Sequence, residues 1–434
     1  MNSAVVAVII FILTYIAIAS EKVNRTVIAF LGALSLLLFN VFNINQAIDF
    51  ISWETLGLLF GMFLIIAALS EAGFFNFLAL KMAKLLKYSP TKIFIFFPLL
   101  TGVLSAFINS ITVMLFFAVL TYELCKMLKI KPTSMIITEV LMANIGGSAT
   151  LVGDAPNVIL GLKLGFYFND FAVHNGPIAI LAGAATLLFC YAVSRKELVP
   201  TEEVAISEIA QMDPREAIED MSQLKISLAA FFTVIFFLIT HTYIEKYLNI
   251  PLTVPLAAMI PAFVMLIALG SKAERVIEKV DYDIILFFMG LFIVVGGLEA
   301  TGVIENIANT LVNVFSGKDL GLLATLVWGS GLLSGVIDNV PFALSMSYVL
   351  ENMVKFAGVP ALSILVWAVS LGADIGGNFT PIGASANVVA YASLEKRGLS
   401  IGWGKWLKLA VPATIIALTV SNLGIFIKYL IGFY

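Results

Sequence analysis

The sequence predicts an all-α polytopic membrane protein built from two inverted repeats, each with a re-entrant hairpin and a broken transmembrane helix. Three observations lead there. Of 434 residues, 60% are hydrophobic and 12% charged, against about 25% charged in a soluble domain; the mean hydropathy is +1.02. One long motif occurs twice at a nearly constant offset. The polar residues deep in apolar sequence gather at that motif and at two turn-like dipeptides.

The apolar segments run at about 4–20, 25–42, 52–72, 92–108, 111–125, 134–163 and 176–194, then 226–245, 252–269, 282–301, 320–337, 340–354, 358–392 and 406–427. Met1–Ser20 has no basic n-region and reads as a first span, not a signal peptide. Residues 73–90 set Lys81, Lys84 and Lys87 among Phe, Leu and Met, the pattern of an interfacial helix. The stretch 195–225 carries eight acidic and four basic residues and reads as a solvated linker. Within it Asp213-Pro214-Arg215-Glu216 has the cap, proline and acid of a helix start. The domain reading is therefore 1–194 as first repeat with a leading helix, 195–225 as linker and 226–434 as second repeat.

The repeat is explicit. Gly61, Phe63 and Gly73 recur as Gly290, Phe292 and Gly302, an offset of 229, which also sets Asn109-Ser110 opposite Asp338-Asn339. At an offset of 230, NIGGSATLVGDAPN (144–157) answers DIGGNFTPIGASAN (374–387). Duplicated halves with interrupted apolar segments point to a binding site at the repeat interface, because a break in hydrocarbon must line a cavity or site. If 92–125 and 320–354 are hairpins turning at Asn109-Ser110 and Asp338-Asn339, each half has five crossings, about ten in all, and the odd number inverts the repeats. The charges agree. With both termini outside, only Lys163, Lys246, Lys318, Lys355 and Lys428 of the 25 lysines and arginines fall on the outer side, and the 195–225 linker is cytoplasmic.

Site candidates follow from the same polar clusters. The hairpin tips supply Asn109, Ser110, Thr112, Asp338 and Asn339. The broken spans supply Asn144, Gly147, Ser148, Thr150, Asp154, Asn157, Asp374, Gly377, Asn378, Thr380, Ser385 and Asn387. Intramembrane carboxylates are costly and mark function, so Asp338 and Asp374 are the first candidates for cation coupling and Asp154 the next. Freed carbonyls with Asp, Asn and Thr oxygens suit a sodium ion, for which Asn109, Thr150, Asp338, Asp374 and Thr380 are the candidate ligands. No basic residue lies deep in the predicted spans to pair with Asp338 or Asp374. Ser105, Ser334, Ser370 and Ser385 are expected to bond back to their own helix carbonyls.

Other classes drop out. A net charge of −3 without a basic stripe excludes a nucleic-acid partner. Cys125 and Cys190 form no disulfide framework, His174 and His241 stand far apart, and neither HExxH nor CxxC occurs.

The segments NIGGSATLVGDAPN (144–157), DNVP (338–341) and GGNFTPIGASANVV (376–389) resemble the ion transporter superfamily. The nearest branch by these motifs is the arsenical pump membrane protein (ArsB) and melanosomal P protein group. NhaD-type sodium/proton antiporters are similar, and citrate and divalent-anion/sodium symporters more distantly so. The resemblance implies a plasma-membrane homodimer of elevator type, its transport domain at about 92–163 and 320–392, the remainder mostly scaffold. Symporter members carry Ser-Asn-Thr triplets at the tips. Here the tips read Asn109-Ser110-Ile111-Thr112 and Asp338-Asn339-Val340-Pro341, and neither motif holds an arginine clamp. The expectation is thus a secondary transporter without enzymatic activity or resident cofactor. It would export arsenite, antimonite or a similar small inorganic solute against protons, alone or with a soluble ATPase, since the chain has no Walker A loop. Na⁺/H⁺ antiport is the alternative, and sodium-coupled carboxylate symport a further one.

Overall fold

The computed structural model describes residues 3–19, 22–199, 213–356, 359–395 and 402–434, and every regular element among them is helical. The first half runs α1 (Ser3–Ala19), α2 (Arg25–Leu38), α3 (Ile44–Asp49), α4 (Trp53–Glu71), α5 (Phe74–Leu85), α6 (Pro90–Ser105), α7 (Ser110–Met127), α8 (Thr133–Gly147), α9 (Ala155–Leu164), α10 (Phe168–His174) and α11 (Gly176–Ser194). The second runs α12 (Met221–Leu248), α13 (Val254–Leu269), α14 (Ala273–Glu278), α15 (Tyr282–Ala300), α16 (Val303–Val314), α17 (Asp319–Ser334), α18 (Asn339–Met353), α19 (Leu362–Gly376), α20 (Ser385–Glu395) and α21 (Gly402–Ile431).

Local chemistry starts these helices where the repeat predicts. Asn109 caps α7 and Asp338 caps α18 with nearly the same backbone, φ −47° and −46°. Gly73 and Gly302 open α5 and α16 in the left-handed region at φ +81° and +73°, a conformation glycine adopts without strain.

The halves interlock. Gly61 of α4 lies on the α13 backbone at Ala258, and Gly290 of α15 lies on that of α2 at Ala29. Both members of each pair are related by the offset of 229. The first hairpin arm crosses α8 with Gly102 against Gly146, and α17 crosses α19 with Gly331 against Gly376. Internal symmetry is therefore written into the closest helix contacts.

Two expectations change. Eight helices among the described residues are long and apolar enough to cross a membrane, not about ten. α1 and α2, at 17 and 14 residues, rise about 25 and 21 Å against a hydrocarbon core of about 30 Å. α7, expected as a hairpin arm, reaches spanning length at 18 residues, whereas its counterpart α18 has 15. The linker also differs. Its helix start is a single 3-10 turn, Pro214–Ala217, capped by Asp213. The chain then turns extended at Ile218 and docks on the α4–α5 corner, the Glu219 N–H donating to the Ala72 carbonyl (3.2 Å). Residues 200–212 of the expected cytoplasmic segment lie outside the described residues. Nearby, Glu71 pairs with both Lys279 and Arg275.

A Cβ on Gly146 would overlap the Gly102 carbonyl, whereas one on Gly404 meets nothing within 4 Å. Gly146→Ala should therefore lower stability in detergent by about 1–3 kcal/mol, read as a fall in the thermal unfolding midpoint. Gly404→Ala should leave the midpoint unchanged or raise it; equal behaviour of the two variants contradicts the packing.

Candidate functional site

Four helices begin at one place. α7, α9, α18 and α20 contribute their first residues, Ser110, Ala155, Asn339 and Ser385, to the wall of a single cavity. Arg25, Asn109 and Asp154 complete its polar lining. Phe63, Phe287 and Phe288 belong to the apolar wall. Its volume of about 10 Å³ holds at most about one water, so the site is closed.

Asp154 is the centre of the polar network. It is 4% exposed, caps α9 by accepting from the Ala155 N–H (2.9 Å), and takes one bond from each hairpin tip. Ser110 Oγ donates to Oδ1 and Asn339 Nδ2 to Oδ2, both at 3.3 Å. The two tips, 229 residues apart in sequence, therefore share one carboxylate. Asp338 accepts from the Val340 N–H (3.0 Å) and from Ser385 Oγ (3.1 Å). Ser385 in turn accepts from Arg25 Nη1 (2.7 Å), which also lies 3.9 Å from Asp338. The guanidinium sits 4.9 Å over the Phe287 ring.

Behind the cavity the breaks repeat bond for bond. Thr150 Oγ1 donates to the Ala106 carbonyl, and Thr380 Oγ1 to that of Gly335 (2.6 Å). Asn157 Nδ2 donates to the Gly147 and Thr150 carbonyls (both 3.0 Å), and Asn387 Nδ2 to those of Gly377 and Thr380 (both 2.8 Å). Each clamp accepts from the other half: Ser370 Oγ donates to Asn157 Oδ1 (2.6 Å), and Asn144 Nδ2 to Asn387 Oδ1 (2.8 Å). Asn144 also donates to Asn378 Oδ1 (2.8 Å). Ser148 Oγ bonds the Ile145 carbonyl at the end of α8 (2.7 Å). Gly147 and Gly377 let the chain after each break return close by, against Gly153 and Gly383.

Asn109, Ser110, Asp154, Asn339 and Ser385 thus line the cavity, with Asp338 bonded to its edge. Thr112 is not in the lining, where Ile111 stands instead. The candidate sodium ligands divide between the two breaks: Thr150 is tied to the first hairpin and Thr380 to the second, while Asn109 Oδ1 accepts from the Ile111 N–H (2.9 Å). Asp374 is fully buried, and among the described residues neither carboxylate oxygen has a hydrogen-bond partner. Both amide hydrogens of Asn157 are engaged elsewhere, so that side chain has none left to donate to it.

Sequence reasoning missed Arg25, counted only among the inner-side charges, and the expectation that no basic residue would pair with Asp338 is corrected. The repeat gave little signal: the residue 229 positions on is Val254, but few of the neighbouring positions of α2 are kept in the second half. The serine expectation is also corrected. Ser385 and Ser370 bond across elements, and Ser334 Oγ reaches the Ala373 carbonyl of α19 (2.6 Å), because the glycine-lined crossings bring partners within reach.

Residues 15–372 match the citrate transporter family. A Mycobacterium leprae 46 kDa membrane protein is 32% identical over 437 residues, covering 99% of both chains. An uncharacterized transporter of Mycobacterium tuberculosis is 31% identical over 433 residues, again 99% of both. The human P protein is 28% identical over 488 residues, covering 94% of this chain and 58% of that protein. In fold the chain is similar to the Alcanivorax borkumensis YdaH transporter, TM-score 0.59 at 11% identity over 100% of this chain and 99% of that one. It is similar also to Neisseria gonorrhoeae MtrF, TM-score 0.59 at 15% identity over 99% and 95%.

A buried carboxylate without partners lowers stability by several kcal/mol. Asp374→Asn should therefore raise the unfolding midpoint in detergent, by about 1 kcal/mol or more in stability, whereas Asn157→Ala should lower it. A fall in both variants contradicts the isolation of Asp374.

Proposed function

The chain belongs to the citrate transporter family, and from that premise we infer that its closed cavity binds a small carboxylate-type anion and moves it together with a cation. It is a secondary-active, multi-pass membrane transporter of small solutes or ions and not an enzyme. The observation that carries the anion reading is the convergence of four helix N-termini and one arginine on a single cavity. N-terminal amides and the positive end of the helix dipole favour negative charge, and half-helix N-termini aimed at a substrate carboxylate are a recurrent transporter device. Arg25 adds a planar donor suited to carboxylate.

Coupling follows from the opposing charges. Asp154 and Asp338 stand at the same cavity, and two carboxylates beside an anion would repel it by several kcal/mol in a partly desolvated site. A cation, proton or sodium, must neutralise them before an anion enters. Asp154 is best placed for this role because both tips bind it, and Asp338 and Asp374 stand beside it as coupling candidates. Efflux of an arsenite-type neutral solute, which needs no arginine, fits less well a cavity that Arg25 lines. Na⁺/H⁺ antiport is the second reading, favoured by the unpartnered Asp374.

Movement is assigned to elements at about 92–163 and 320–392 sliding as an elevator against the rest of a homodimer. Contacts across that boundary support it. Tyr15 Oη of α1 donates to the Pro341 carbonyl (2.9 Å), and Arg25 of α2 holds Ser385. The charge bias supports inverted repeats with both termini outside.

Purified protein in liposomes should take up citrate, succinate or another small anion under an imposed sodium or pH gradient. Arg25→Gln should raise the KM for that anion about ten-fold or more. Sodium/proton exchange without anion flux in the same vesicles would establish the second reading instead, and arsenite flux without either would restore the third.

A further inference from the structure

A second polar cavity, of about 370 Å³, opens at the other end of the same helices. Its lining includes Ser52, Glu54 and Thr55 at the start of α4, Lys163 at the end of α9 and Tyr348 of α18. Four helices serve both cavities. α4 gives Thr55 to this one and Leu59 and Phe63 to the closed one. α9 gives Lys163 here and Ala155 there, α15 gives Phe292 and Phe288, and α18 gives Tyr348 and Val340. Eight residues of α9 separate Ala155 from Lys163, about 12 Å of helix. α2 and α4 join through 39–52, so this vestibule opens on the face opposite the Arg25 end of α2.

Between the cavities stand three apolar side chains from three helices: Ile159 of α9, Phe292 of α15 and Leu344 of α18, exposed by 1%, 2% and 1%. All three also line the vestibule. Val158, one residue before Ile159, lines the pocket that reaches Asn109 and Asp154. Lys163 binds Glu351 of α18 (3.1 Å) and lies 4.0 Å over the Tyr348 ring. This pair fastens α9 to α18 at the rim. It also neutralises Lys163, and Asp49 and Glu54 are the other charged residues of the lining.

We propose that this vestibule is the access site for the coupling cation, and that Ile159, Phe292 and Leu344 are the gate between it and Asp154. The cation part rests on the coupled reading above; the route and gate do not. Passage requires the α9–α18 pair to shift against α4 and α15, the same boundary that Arg25 and Tyr15 bridge.

Membrane-impermeant thiol reagents test this without any assumption about the transported anion, and the native Cys125 and Cys190, both 0% exposed, keep the background low. In oriented vesicles, Ser52→Cys should react from the face opposite Arg25. A cationic methanethiosulfonate should react at least about three-fold faster than an anionic one at low salt, and Glu54→Gln should reduce that preference. Val158→Cys should react slowly, and Leu344→Ala should speed it about ten-fold or more from the same face, as an exposed thiol outpaces a buried one. Phe292→Leu is the milder gate variant if Leu344→Ala fails to reach the membrane. Reaction of Ser52→Cys solely from the Arg25 face, or a Val158→Cys rate indifferent to both gate variants, overturns the route. An equal or anionic reagent preference at Ser52→Cys overturns the cation assignment. Failure of anion flux in liposomes would leave these labelling results intact.

Discussion

Hydrocarbon offers no hydrogen bonds, so a helix can break inside it only where other protein groups replace the lost backbone partners. Asn157 and Asn387 do this for the two breaks, each reaching back to two carbonyls. Thr150 and Thr380 fasten each broken segment to its own hairpin. Neither clamp stands alone, because Ser370 of the second half orients Asn157 and Asn144 of the first orients Asn387. Each half needs the other to keep its interruption dry. The site forms at the junction for that reason.

The electrostatics follow from the same arrangement. Breaking a helix creates a new N-terminus, and each hairpin tip creates another, so two halves yield four starts at one cavity. Their dipoles favour an anion, while Asp154 and Asp338, which cap two of them, supply opposing charge. A site with both signs is neutral only when the carboxylates hold a cation. Coupling is in this view a consequence of capping: the groups that satisfy the helix starts are the groups that must be neutralised before substrate binds. Arg25 breaks the duplicate symmetry, and with it the equivalence of the two sides of the site.

Much of this was legible beforehand, for a physical reason. Duplication preserves backbone geometry, so Asn109 and Asp338, or Gly73 and Gly302, announced matching caps and turns. The cavity residues Asn109, Ser110, Asp154, Asn339 and Ser385 came from polarity in apolar sequence. What the sequence hid was tertiary. Ser370 looked like one more back-bonding serine because its partner lies 213 residues away. Arg25 looked like one more inner-side charge because it opens an apolar run, and its partner Ser385 lies 360 residues away. Asp154 ranked behind Asp338 and Asp374 because nothing local shows that one carboxylate receives both tips. Eight single helices among the described residues reach spanning length where about ten crossings were expected, because α1 and α2 have 17 and 14 residues.

The central claim is that the two hairpin tips meet across Asp154 and that transport requires them to do so. The most direct measurement is cross-linking of a Ser110→Cys, Asn339→Cys pair in liposomes with a short bis-thiol reagent that carries a reducible disulfide, alongside solute flux. The account predicts efficient cross-linking within one chain, arrest of flux, and recovery on reduction. Failure to cross-link, or flux that continues in the cross-linked protein, would contradict it.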